Sequence, residues 1–142
     1  MEMQRVDTLA EHLIAAEKNG TPIDLPSVEH PTMTLDDGYQ VQRAIVAKKI
    51  ADGARVIGKK LAFTSRGNQA LFGVHEPAYG FLLDRGVRPP DTAVESAALI
   101  QPLIECELAF LMRRRLSGPR ASIADVRRRG RSRRGPGAVG DR

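Results

Sequence analysis

Residues 101–112 have the sequence Gln101-Pro102-Leu103-Ile104-Glu105-Cys106-Glu107-Leu108-Ala109-Phe110-Leu111-Met112, which predicts a β-strand with two different faces. Successive side chains of a strand point to opposite faces. One face is therefore apolar, and it carries Ile104, Cys106, Leu108, Phe110 and Met112. The other face places two carboxylates, Glu105 and Glu107, side by side in an otherwise apolar run. Buried carboxylates lose hydration and repel each other, and a hard cation such as Mg²⁺ or Mn²⁺ relieves both costs. The alternative is a half-exposed strand whose glutamates only face water.

The composition indicates a single domain of an intracellular type. A chain of 142 residues with 42% hydrophobic residues can form one real core. No apolar run approaches the length of a membrane span, and the N-terminus lacks the pattern of a signal peptide. The single cysteine, Cys106, excludes an internal disulfide, and its place on the apolar face predicts a thiol in the core. We therefore expect a cytoplasmic protein without a membrane partner.

The charge is divided unevenly along the chain. The net charge of +5 combines residues 1–111, with 11 basic and 15 acidic side chains, and residues 112–142, with 11 arginines and two acids. The first part carries −4 and the second +9, so the two parts require separate interpretation.

Two helices and a strand are predicted before residue 64. Apolar residues recur at helical spacing from Val6 to Ile14, and Asn19-Gly20 predicts the end of that helix. Thr34 predicts the cap of a second helix that runs to about Asp52. Residues 21–26 contain two prolines and predict an extended connector.

Residues 55–63 predict a strand in which Lys60 lies between small residues. Gly58 and Ala62 share its face and leave room for a ligand, although an isolated lysine is commonly a surface residue with an extended stem. Ser65 predicts the cap of a short helix that ends near Phe72. Gly80 predicts a close approach of its backbone to another group.

Three motifs follow one another along the chain. They are Gly58-Lys59-Lys60-Leu61-Ala62-Phe63-Thr64-Ser65 with Gln69, then Gly73-Val74-His75-Glu76-Pro77-Ala78-Tyr79-Gly80-Phe81-Leu82-Leu83, then Gln101 to Phe110. In this order they resemble the 2-keto-4-pentenoate hydratase and 4-oxalocrotonate decarboxylase group of the fumarylacetoacetate hydrolase superfamily, over roughly residues 5–126. The resemblance implies an α+β fold in which N-terminal helices lead into part of a mixed β-roll.

The resemblance also assigns roles to individual residues. Glu105 and Glu107 match the two glutamates with which the family binds Mg²⁺ or Mn²⁺. Lys60 matches an active-site lysine and is the implied catalytic residue. Ser65 and Leu83 are the implied substrate-binding residues.

The implied activity is that of a metal-dependent lyase in aromatic-compound catabolism, which adds water to a 2-hydroxy-2,4-dienoate. The implied partners are this small 2-oxo or 2-hydroxy dienoic acid and further copies of the chain in a homo-oligomer. A cation that chelates the substrate's carboxylate and 2-oxo oxygen makes the carbonyl a better electron sink. The same sink serves loss of carbon dioxide, so a 4-oxalocrotonate decarboxylase remains the alternative.

The chain departs from the family at two places. Ala78 stands where the family usually has an aspartate that often serves proton transfer.

After residue 126 an Arg/Gly-rich segment, residues 127–142, replaces the expected helix and strand, and Ala138 stands near the place of a third metal-binding carboxylate. We expect residues 1–126 to be the N-terminal portion of the domain, C-terminally truncated and weakly active or inactive. Residues 127–142 are expected to be disordered, or extended and loosely attached, and to arise from out-of-frame translation or a truncated gene model. The rival is a non-enzymatic basic module that binds nucleic acid, which the lack of interleaved aromatic residues disfavours.

Overall fold

The computed structural model describes residues 2–116, 118 and 121–136, and the chain forms two compact units, Met1–Ile100 and Gln101–Arg142. The first unit contains α1 (Met3–Asn19), α2 (Pro26–Glu29), α3 (Leu35–Ala51), β1 (Val56–Ala62), α4 (Arg66–Leu71) and β2 (Ala78–Leu83). The second unit contains β3 (Cys106–Met112), α5 (Ile123–Arg129) and β4 (Gly130–Pro136). The helices of this described part of the chain include none that is long and apolar enough to cross a membrane.

The two long helices of the first unit pack together and form its small core. The buried side chains there are Val6, Leu9, Ala10 and Val41. Gly20 ends α1 in the left-handed conformation, and its N–H donates to carbonyls of the last helical turn. The helix predicted from the spacing of Val6 to Ile14 and from the Asn19-Gly20 stop is thus confirmed. The short helix α2 was not predicted; proline at its first position is compatible with a helix start.

The predicted cap of α3 is confirmed in detail. Thr34 Oγ1 accepts a hydrogen bond from the Asp37 N–H at 3.2 Å. In return, Asp37 Oδ2 accepts from the Thr34 N–H at 2.9 Å, which completes a capping box. The predicted end near Asp52 also holds, because Asp52 is the C-terminal cap of this helix.

Strands β1 and β2 form an antiparallel hairpin that α3 holds from one side. The register pairs Lys60 with Gly80 and Ala62 with Ala78. The Tyr79 N–H donates to Tyr39 Oη at 3.3 Å, and the Tyr79 carbonyl accepts from Gln42 Nε2 at 3.0 Å. Both α3 side chains thereby satisfy backbone groups of β2 and fix the hairpin against the helix.

The second unit is built on a two-stranded ribbon. Strands β3 and β4 pair antiparallel from Cys106 opposite Pro136 to Met112 opposite Gly130. The strand predicted over residues 101–112 is therefore present, although it begins at Cys106. The prediction that Cys106 lies in the core is wrong, because every residue of β3, including this thiol, is exposed. Alternation predicts which side chains share a face, but a face is buried only where another layer covers it.

The first part of the Arg/Gly-rich segment has regular structure. Helix α5 runs through Arg129, past the boundary predicted at residue 126, and residues 130–136 form β4. Over 127–136 the structure has the end of a helix and a strand that pairs in register with β3, and the expected disorder or loose attachment of residues 127–142 stays a prediction. A strand ladder is formed by backbone groups, which every residue supplies except for the N–H that proline lacks. Residues 137–142, including Ala138, lie outside the described residues.

Candidate active site

Lys60 is the central residue of a hairpin face made of glycine and alanine residues and one leucine. Because directly opposed residues share a face, the register groups Lys60 with the following five residues: Gly58, Ala62, Ala78, Gly80 and Leu82. Lys60 is half-buried, and it is the only charged residue among these six. Among the described residues, no atom lies within 4 Å of the place that a Cβ on Gly80 would take, so the predicted close approach is not to one of these residues. The glycine and alanine positions beside Lys60 therefore carry no bulky side chain on this face.

The neighbouring lysine lies on the other face of the hairpin. Lys59 Nζ is 4.7 Å from the centre of the Tyr79 ring and 5.4 Å from that of Phe81, which are cation–π distances. The Tyr79 ring also stacks on Tyr39 of α3, with 4.7 Å between the ring centres. Lys59 is thus engaged by an aromatic cluster, whereas Lys60 is on the face with room for a ligand.

Of the two predicted substrate-binding residues, Ser65 lies after β1 and Leu83 at the far end of β2. Ser65 Oγ accepts a hydrogen bond from the Asn68 N–H at 3.2 Å and caps α4, as predicted. Its own O–H remains a donor for another acceptor. Leu83 pairs with Val56 and alternates with Phe81, so its side chain is on the aromatic face and not on the Lys60 face. The structure does not bring the Leu83 side chain together with Lys60.

Arg55, just before β1, and Asp84, just after β2, form an ion pair and several hydrogen bonds. The Arg55 N–H donates to Asp84 Oδ1 at 2.9 Å, and Arg55 Nε donates to Asp84 Oδ2 at 3.0 Å. The Asp84 N–H returns a bond to the Arg55 carbonyl at 2.9 Å. The hydrogen bonds from the Arg55 backbone and then from its side chain lower the pKa of Asp84 below the ordinary 3.8. These hydrogen bonds join the start of β1 to the end of β2 and so stabilise the pair of strands that carries Lys60.

The two candidate metal ligands belong to the second unit. Glu107 is in β3, and Glu105 is the residue just before this strand, two positions before Glu107. Glu105 is half-buried and Glu107 is exposed. Two carboxylates supply oxygen donors of the type that Mg²⁺, Mn²⁺ and Ca²⁺ prefer, so the donor chemistry fits a hard divalent cation. Within 2–116, 118 and 121–136, no group of three or more His, Cys, Asp or Glu side chains is arranged to hold a metal ion.

Sequence reasoning missed the side chains that hold these elements in place. Tyr39 and Gln42 bind the Tyr79 backbone from 40 and 37 positions away, and no local pattern indicates such contacts. Gln69 Nε2 donates to the Phe63 carbonyl at 2.7 Å. A signal for Gln69 did exist, because it was part of the motif that carried the family resemblance.

Comparison with proteins of known activity identifies relatives that extend beyond this chain. The chain is 38% identical over 122 residues to a 4-oxalocrotonate decarboxylase of Pseudomonas sp. (strain CF600), which covers 86% of this chain and 46% of the relative. It is 35% identical over 127 residues to a 2-hydroxyhexa-2,4-dienoate hydratase of Comamonas testosteroni, covering 88% of this chain and 48% of that protein. The chain thus spans about half the length of the curated relatives it matches. No protein-family model matches it.

A solved structure of a 4-oxalocrotonate decarboxylase also matches this chain. The 4-oxalocrotonate decarboxylase from Pseudomonas putida G7, complexed with magnesium and adipate, superposes with a TM-score of 0.84 at 36% sequence identity. The match covers 88% of this chain and 48% of the decarboxylase. The mixed helix and strand fold and the sequence therefore agree on one ancestry. The chain belongs to the 2-keto-4-pentenoate hydratase and 4-oxalocrotonate decarboxylase group of enzymes.

Proposed function

We propose that this chain carries part of the active site of a metal-dependent lyase, a hydratase that adds water to a 2-hydroxy-2,4-dienoate in aromatic-compound catabolism. The observation that carries the proposal is the Lys60 face, where one ammonium group stands among glycine and alanine residues. A cationic side chain on a face of mostly small residues is suited to a small anionic ligand. The hairpin and the ribbon would be parts of a fumarylacetoacetate hydrolase-type β-roll in a cytoplasmic protein.

Glu105 and Glu107 would hold the cation, Mg²⁺ or Mn²⁺. When bound, such a cation polarises a 2-oxo group and increases the acidity of the neighbouring carbon. The relative of known structure binds magnesium, which supports a divalent cation for the group.

The residues of the first unit would bind the substrate and move protons. The Lys60 ammonium group attracts the substrate carboxylate and, within hydrogen-bond reach, can transfer a proton during addition of water. The Ser65 O–H can donate to a substrate oxygen while its lone pair keeps the α4 cap. Ala78 is on the Lys60 face, directly opposite Ala62, and its methyl group can neither donate nor accept a proton.

A decarboxylase is the second candidate, because one solved relative carries that name and was complexed with adipate, a dicarboxylate. A hydratase and a decarboxylase both need an electron sink at the 2-oxo group, so the Lys60 and glutamate positions serve either reaction. The products distinguish the two activities. A hydratase forms a hydroxylated 2-oxo acid and releases no gas, whereas a decarboxylase releases carbon dioxide and forms a dienol one carbon shorter.

We expect weak activity from this chain by itself. Mg²⁺ requires near-octahedral oxygen ligands and retains water where protein ligands are missing, so two carboxylates fix it less firmly than three. A misplacement of the substrate by about 1 Å can lower the rate on the order of 10²-fold.

The test is an assay of the purified chain with 2-hydroxypenta-2,4-dienoate and excess Mn²⁺, beside a fusion to the second half of the Comamonas relative. We expect slow, metal-dependent loss of the dienoate with the chain alone and a much faster loss with the fusion. Lys60→Ala should abolish turnover in both, whereas Lys59→Ala is the matched control on the opposite face. Equal rates for Lys60→Ala and the unmodified fusion would refute the proposed function.

A further inference from the structure

The connection between the two site residues of the first unit has an unusual backbone. Phe63, directly after β1, has a φ of +54°, in the left-handed region that a bulky side chain rarely adopts. This residue lies between Lys60 and Ser65, the predicted catalytic and substrate-binding residues. A backbone of this kind persists only where the surrounding structure holds it, and such positions occur often at functional sites.

Helix α4 supplies the groups that hold this turn. Gln69 Nε2 donates to the Phe63 carbonyl at 2.7 Å, and Gln69 is half-buried. The Phe72 ring lies against the Phe63 ring with 5.3 Å between the ring centres. Ser65 caps the same helix. Of these contacts, only the Gln69 amide binds the main chain of the strained residue itself.

We propose that Gln69 is a positioning residue, which acts through the Phe63 carbonyl to keep the left-handed turn and thereby sets Ser65 relative to Lys60. The inference rests on the proposed function, because it concerns the geometry of the same site. Without the amide donor, Phe63 would relax toward the extended region that its side chain prefers. Ser65 would then shift relative to the Lys60 face, while α4 could remain helical.

The experiment compares Gln69→Glu with the unmodified chain, alone and combined with Phe63→Gly. Glutamate has the size of glutamine but lacks the N–H donor when ionised. Glycine adopts a positive φ without steric cost, so it makes the turn independent of the Gln69 bond. Gln40→Glu on α3 is the matched control, since its amide makes only an exposed bond within its own helix.

Two measurements are made on each variant. The first is the ¹³Cα shift of residue 63, with the ¹³Cβ shift where that residue is phenylalanine, which reports the backbone conformation and needs no activity. The second is the rate at which the C3 protons of 2-oxopentanoate exchange for deuterium with Mg²⁺ present, with kcat and KM determined separately.

We expect Gln69→Glu to move the Phe63 shifts toward extended values and to lower kcat on the order of 10- to 100-fold. In the Phe63→Gly background the same substitution should change kcat by less than about threefold, a rescue that a purely stabilising role would not produce. Unchanged Phe63 shifts in Gln69→Glu, or an equal loss of kcat in both backgrounds, would overturn the proposal. If neither the unmodified chain nor the fusion shows exchange, the proposed function fails, and the shifts of residue 63 still decide whether Gln69 sets the turn.

Discussion

Replacement of Ala78 by aspartate should restore a proton-transfer group to the Lys60 face. Ala78 is opposite Ala62, two pairs along the ladder from Lys60 opposite Gly80, so it is a diagonal neighbour of the lysine on the same face. Diagonal Cα atoms of an antiparallel pair are about 7–8 Å apart, a distance that an aspartate and a lysine side chain span together. The open space at Gly80 leaves room for the added carboxylate.

Two effects of the new carboxylate differ in size. As a charge pair with Lys60 near the surface, it contributes roughly 0–1 kcal/mol, which corresponds to no more than about fivefold in rate. As a general acid or base in reach of the substrate, it contributes about 10²- to 10⁴-fold. A gain of 10²-fold or more therefore cannot come from the charge alone.

The assay is deuterium exchange at C3 of 2-oxopentanoate in D₂O with Mg²⁺, followed by proton NMR, because it isolates proton transfer from the rest of the reaction. Ala62→Asp is the control, since it puts the same charge on the same face two positions from Lys60. We expect at least about a 10²-fold gain for Ala78→Asp, less than fivefold for Ala62→Asp, and no gain when Lys60→Ala is added. A gain below fivefold, or equal gains for the two aspartates, would refute the reasoning.

Three further predictions concern stability and metal binding. Thr34→Ala should lower the free energy of unfolding by about 1 kcal/mol and Tm by roughly 4 °C in a thermal melt, whereas Thr8→Ala on the exposed face of α1 should change Tm by less than half as much. The pKa of Asp84 is lowered from 3.8, so its carboxylate stabilises the fold above pH 3.8 and that contribution is lost as the pH falls below this value. Urea titrations from pH 6 to about 2.5 should therefore converge for the chain and Asp84→Asn at the acid end, and parallel curves would contradict this linkage. Glu107→Gln should weaken Mn²⁺ binding about tenfold or more by calorimetry, the scale found for conserved partners of metal ligands, and Glu95→Gln should leave it unchanged. Equal affinities for the two glutamine variants would remove Glu107 from the metal site.

The elements that the sequence predicts correctly are those controlled by neighbours a few positions away. The cap at Thr34 and the stop at Gly20 depend on residues within one turn of the helix. The alternation that places Lys60 between Gly58 and Ala62 depends only on the period of a strand. The residues around Lys60 also belong to the motifs that carried the family resemblance, and the relatives and the solved structure confirm that resemblance.

The tertiary structure decided everything that depends on which segments meet. Cys106 is exposed although its strand has an apolar face, because alternation does not determine whether a layer covers that face. The pairing of residues 130–136 with β3 joins segments that are apart in the chain, and no local pattern in those residues indicates that partner.

The same holds for the surroundings of Lys60. The sequence by itself determined the small residues beside it on β1, whereas the register with β2 decided that Gly80 and Ala78 complete the open face and that Leu83 does not. Register is set by backbone pairing between segments that are distant in the chain and by helix contacts such as that of Tyr39 with Tyr79. The register cannot be read from a local period in one segment, because it depends on which alignment of the two whole strands has the lowest free energy.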